Sequence, residues 1–116
     1  MKYVENGGTL LMQYNTTWDL STKDLGPYPF KISRDRVTVE DAPITFLKPD
    51  HPVLNFPNKI TQEDFDGWIQ ERGLYFPDEW DENYDAILSA NDPGEEPKNG
   101  SLLVAKYGKG YFVYAV

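Results

Sequence analysis

The chain contains no cysteine and a single histidine, His51. The first absence excludes disulfides, thiolate zinc sites and thiol nucleophiles, and it leaves the redox compartment open. The second excludes a metal centre built from several histidines of one chain. Long apolar runs are also missing, and none approaches the ~20 residues that span a bilayer as a helix. The N-terminal stretch lacks the basic and apolar regions of a signal peptide. Basic residues are scarce where acids are dense. Residues 61–96 hold twelve acids against one base, Arg72, so that segment carries -11 of a total of -8 and leaves the rest at +3. Binding to nucleic acid or to an anionic membrane needs the opposite sign, and neither is expected as a partner.

What is present reads as a folded domain. A hydrophobic content of 40% and aromatic content of 15% over 116 residues suffice for a core. Thr9–Tyr14 is nearly continuous in apolar character, which predicts a strand covered on both faces. Phe30–Ser33, Val37–Val39, Ile44–Leu47, Tyr84–Ala90, Ser101–Tyr107 and Tyr111–Val116 read as further strands, the last two joined by a Gly108-Lys109-Gly110 turn. Three prolines in Lys48–Pro57 speak against helix there. Thr61-Gln62-Glu63-Asp64 predicts a helix start, with Phe65, Trp68 and Ile69 as its buried stripe and Gly73 as its stop. Leu74–Asp85 reads as an aromatic, acidic loop.

At one end Asn6-Gly7-Gly8 signals the close of a short helix, although about five residues precede it. At the other, the apolar Tyr111–Val116 runs to the last residue. Both features suggest a single domain over 1–116 that is a piece of a larger one. An unpaired edge at Tyr111–Val116 would then invite a dimer with another copy.

These end motifs carry a resemblance. Tyr3-Val4-Glu5-Asn6-Gly7-Gly8-Thr9-Leu10-Leu11 and Tyr107-Gly108-Lys109-Gly110-Tyr111-Phe112-Val113-Tyr114 resemble class I glutamine amidotransferase-like domains, including the ThuA-like group. Asp64-Phe65-Asp66-Gly67-Trp68-Ile69-Gln70-Glu71-Arg72-Gly73-Leu74-Tyr75-Phe76 is similar to the C-terminal amidotransferase-like region of some bacterial PIG-L (LmbE-type) deacetylases. The resemblance implies an α/β, partial Rossmann/flavodoxin-like domain, strand-rich with few helices and without its early strands. It implies an accessory role beside other domains of a parent protein. Glutaminase chemistry is not expected without a cysteine nucleophile. The deacetylase's His-Pro-Asp-Asp run is also missing, since Asp50-His51-Pro52-Val53 has no acids after the His-Pro pair.

Few residues invite a catalytic reading, and none is assigned as catalytic. His51, in a proline-rich loop, reads as a hydrogen-bonding residue; a hydrolase fragment using it would need a partner residue from elsewhere. Asp81, Asn83, Asp85 and Asp92 fall at calcium-loop positions 1, 3, 5 and 12. However, position 6 is Ala86 where glycine is needed, and Tyr84–Ala90 reads as a strand, so no metal or cofactor is expected. Acids are too many, and too unplaced, to pair two for glycoside hydrolysis. Aromatic rings interleaved with carboxylates suit sugar faces and hydroxyls. Trp18, Tyr75 and Trp80, with Arg72 as a candidate anchor, are the ligand-binding residues of an alternative saccharide module. Trp68 is expected in the core, and Arg72 as a structural ion pair or helix-terminal cation.

Overall fold

A computed structural model describes residues 1–15 and 25–116. Helix α1 (Lys2–Glu5) is one turn long and closes on glycine. The amide of Gly8 donates to Tyr3 O and that of Gly7 to Val4 O, both at 2.9 Å. This paired closure needs a left-handed residue between helix and strand, and Gly7 supplies it at φ 114°. The chain then enters β1 (Thr9–Gln13).

Short strands follow: β2 (Phe30–Ile32), β3 (Arg36–Val37), β4 (Ile44–Phe46), β5 (Gly73–Leu74) and β6 (Pro77–Trp80). Three longer ones end the chain: β7 (Tyr84–Ala90), β8 (Lys98–Tyr107) and β9 (Gly110–Ala115). The main sheet has the order β1-β9-β8-β7-β4. Only the β1–β9 pair is parallel; the other neighbours run antiparallel. Two-stranded pairs β2–β6 and β3–β5 lie beside it. The result is a strand-rich α/β fold with a mixed sheet and, among the described residues, two short α-helices, as expected at that level.

Alternation along the central strands builds two cores. Val104 and Val113 point to one face, where they join Val37, Ile44, Leu54, Phe76 and Ile87. Leu103, Ala105, Phe112 and Tyr114 point to the other and pack with Phe30, Ile32 and Tyr84. Phe30 is the hub of the second core, tilted against Tyr114 at 5.0 Å and edge-on to Tyr84 at 5.5 Å between centroids.

Four expectations change. The helix after Thr61 is only a 3-10 turn, Gln62–Phe65. Asp64 closes it by accepting from the Thr61 amide at 2.7 Å, but Gly67 at φ 74° turns the chain away at once. The stripe therefore does not form, leaving Trp68 at 44% exposure and Ile69 at 80%. Second, the proline-rich loop does contain one helical turn, α2 (Pro52–Asn55), because Pro52 sits at its start where no amide is required. Third, part of Leu74–Asp85 pairs as β6 with β2. Fourth, Tyr111–Val116 is no edge: β9 lies between β8 and β1.

Candidate interaction surface

Strand β1 has one hydrogen-bonded neighbour among the described residues, and the phase of its ladder shows what the other side presents. The Tyr111 amide donates to Gly8 O at 3.1 Å and the Tyr14 amide donates to Ala115 O at 3.2 Å. In a parallel ladder alternate residues serve the same neighbour, so Gly8, Leu10, Met12 and Tyr14 face β9. Thr9, Leu11 and Gln13 consequently aim their N–H and C=O groups at the open edge. Their side chains are exposed as well, Leu11 at 54%. The expectation that both faces of this strand are covered is thus corrected. Its apolar character is present, but the strand lies at a margin of the sheet.

The same face continues inward. Leu11 lies in register with Val113, Thr9 with Tyr111, and Tyr111 with Lys106 across β9. Beside them a cavity of about 520 Å³ is bounded by Val53, Phe56, Val104, Tyr111 and Val113. Phe56 is 80% exposed and Tyr111 43%. An apolar strip of this kind, running from a free sheet edge to a groove, is a surface suited to another polypeptide.

Its polar rim is His51, Asp85 and Lys106. Asp85 accepts from Lys48 Nζ, and its second oxygen lies 3.6 Å from His51 Nε2. His51 is the N-cap of α2, and its Nδ1 accepts from the Val53 amide at 3.1 Å. A neutral imidazole accepting at Nδ1 carries its proton on Nε2, toward Asp85. Nδ1 is thus the nitrogen engaged by a hydrogen bond, while Nε2 stands beyond hydrogen-bond distance of Asp85. The geometry gives the ring a capping and orienting role.

The residues singled out for ligand binding do not share one cleft. Trp18 lies outside the described residues. Arg72 is buried at 9% exposure; its Nε donates to Ala42 O at 3.0 Å and one Nη to Phe65 O at 2.6 Å. Its guanidinium carbon sits 5.7 Å from the centroid of the Trp68 ring. The described residues hold no carboxylate at ion-pair distance from Arg72, so carbonyls and an aromatic face stand in for the expected acid. Tyr75 is elsewhere, edge-on to Tyr14 at 5.9 Å in a small cleft with Arg34 and Arg36. Trp80 pairs in register with Phe30 and leans on the second core.

The cleft that holds Arg72 is lined by Glu40, Asp41, Asp66 and the half-exposed Trp68, and measures about 490 Å³. Glu40 is partly committed, since it accepts from the Gln70 amide at 2.9 Å. Asp92, the last position of the considered calcium loop, spends its carboxylate on the amides of Thr38 and Val39. Leu11, Tyr111 and Phe56 were not singled out from sequence. Apolar residues of strands and proline-rich loops normally signal core, and only the strand order shows which of them are left uncovered. No family model, curated protein or solved structure matches the chain.

Proposed function

We propose that this chain is a non-catalytic interaction domain that packs against another protein surface through the margin formed by β1, β9 and Phe56. The observation that carries the reading is the exposure of Leu11, Tyr111 and Phe56 on one face beside main-chain groups of β1 that have no partner among the described residues. Exposed main chain and apolar side chains together favour a polypeptide over a small polar solute. The capping role of His51, whose Nδ1 accepts from the Val53 amide at the start of α2, supports the non-catalytic part of the proposal.

The finer fold, a partial Rossmann/flavodoxin-like and amidotransferase-like domain, belongs to the same proposal. What supports it is the meeting of the two end motifs. The Lys109 amide donates to Glu5 O at 2.9 Å, and Gly110 lies against Gly8, so the Gly7-Gly8 corner and the Gly108-Lys109-Gly110 turn form one unit. On this reading the natural partner is a LmbE-type deacetylase domain. Mixing this protein with separately produced deacetylase domains of that type, followed by size-exclusion chromatography, tests it. A complex with wild type that is lost in a Leu11→Asp, Phe56→Asp variant is the expected result. Failure of the wild type to associate with any of them, or persistence in the variant, overturns the reading.

A saccharide module is a second reading, favoured by one observation. Trp68, rather than Tyr75 or Trp80, stands half-exposed beside Glu40, Asp41 and Asp66, the combination of ring face and acceptors that a sugar uses. Titration with neutral oligosaccharides should then change tryptophan fluorescence in wild type and not in Trp68→Phe; an unresponsive wild type removes this reading.

A further inference from the structure

We propose that two copies of this chain pair through their β1 strands, antiparallel about a two-fold axis at Leu11, joining two five-stranded sheets into one ten-stranded sheet. The inference rests on the interaction-surface reading and names the occupant of its edge. Its basis is the ladder phase. Thr9, Leu11 and Gln13 direct three amides and three carbonyls outward. Hydrogen-bonded pairs of an antiparallel ladder recur every two residues. Placing Leu11 opposite its own copy therefore sets Thr9 opposite Gln13 and Gln13 opposite Thr9. All six outward groups of each copy find partners in six bonds, and none is left over. The register that satisfies the main chain is thus also the one that a two-fold axis generates.

Charge points the same way. The edge reads Thr9-Leu10-Leu11-Met12-Gln13, with no ionisable side chain to set like against like across the axis. Natural edges are commonly protected by a lysine, a proline or a bulge, and β1 has none of these. β1, β9 and β8 contain no acid at all, and the segment 61–96 reaches this side of the sheet through the uncharged rings of Tyr75, edge-on to Tyr14, and Trp80. The chain's net charge therefore does little to oppose association at this margin. On the face shared with the groove, Leu11 meets Leu11 of the second copy directly. On the opposite face, Leu10 lies across from Met12.

Sedimentation velocity over a wide concentration range tests the proposal, with two variants. Leu11→Pro removes one outward amide, a group without a partner among the described residues, so its fold and thermal midpoint should hold while association is lost. Leu11→Lys places two ammonium groups face to face and should abolish association without touching the main chain, which keeps the test decisive if the proline variant does not fold. The expected result is a concentration-dependent doubling of mass for wild type and a monomer for both variants at every concentration. A wild type that stays monomeric overturns the proposal. So does a dimer that survives both changes, since that dimer would use another surface. A monomeric wild type that still binds a deacetylase domain through Leu11 and Phe56 would leave the interaction reading standing and remove only the second copy as the occupant of the edge.

Discussion

The Asp92 carboxylate accepts a hydrogen bond from the amide of Val39 at 2.9 Å, fastening the end of β7 to the loop after β3. The Thr38 amide donates to the same group at 3.0 Å, and the Thr38 hydroxyl at 3.2 Å. These donors, that of Val39 foremost, hold the Asp92 carboxyl below its ordinary value. A depressed acid stabilises the fold fully above the ordinary carboxylate range, and the contribution disappears as pH falls through the folded value. The melting temperature of wild type should therefore drop more steeply on acidification than that of Asp92→Asn, which begins lower and titrates less. Thermal melts from neutral to acidic pH check this; parallel curves would show that Asp92 is not the fastening.

Tyr84 sits in the second core, and its hydroxyl donates to Tyr28 O at 2.7 Å. Burial pushes its pKa up to about 12, the nearby charge of Asp81 adds to the rise, and the Tyr28 backbone works against it. A raised acid of this type contributes stability that is complete below the ordinary tyrosine value near 10 and is lost as pH climbs through about 12. Tyr84→Phe should lose about 1 kcal/mol at neutral pH from the missing hydrogen bond. It should also soften the alkaline decline in stability. Denaturant unfolding at neutral and alkaline pH reads both effects, and an unchanged alkaline slope would count against the assignment.

Ser89 is buried at 1% exposure, and its hydroxyl has no hydrogen-bond partner among the described residues. Replacing it with alanine deletes an unsatisfied polar group and opens almost no space. Ser89→Ala should be neutral or more stable by up to about 1 kcal/mol, the reverse of a usual core substitution. A loss above that, in chemical denaturation, would mean that the hydroxyl is satisfied in solution.

Gly110 opens β9 where the main chain of α1 crosses it. A Cβ there would lie 2.2 Å from the carbonyl oxygens of both Val4 and Gly8, main-chain atoms that cannot swing aside. Gly110→Ala should cost about 1–3 kcal/mol and selectively raise amide exchange in α1 and β1. Uniform protection across the sheet would contradict this close approach.

Arg72 holds two main-chain carbonyls, from Ala42 and Phe65, that would otherwise be left without this donor. Arg72→Met keeps much of the packing and removes both bonds, so a loss of about 2–4 kcal/mol is expected. A variant as stable as wild type would free Arg72 from this structural role and strengthen its candidacy as a ligand anchor.

Local chemistry alone determined much of this protein. Gly7 and Gly8 announce a helix closure because only a left-handed residue can satisfy both trailing carbonyls, and the closure is present. Tyr84–Ala90, Ser101–Tyr107 and Tyr111–Val116 are legible as strands, and Gly108-Lys109-Gly110 as their turn, because side-chain alternation and glycine placement act within a few residues. Thr61 to Asp64 correctly marks a helix start. It carries no information on helix length, which Gly67 curtails. Periodicity likewise could not say whether Trp68 and Ile69 meet a neighbour. The site lay still further out of reach. Leu11 in a central strand and Leu11 at an edge have the same neighbours in sequence. Which one it is depends on the order β1-β9-β8-β7-β4, in which β1 pairs with residues about a hundred positions away. Tertiary structure alone decided that β9 is enclosed and β1 open. Exposure is a property of what packs alongside a residue, and that is settled only when the whole sheet assembles.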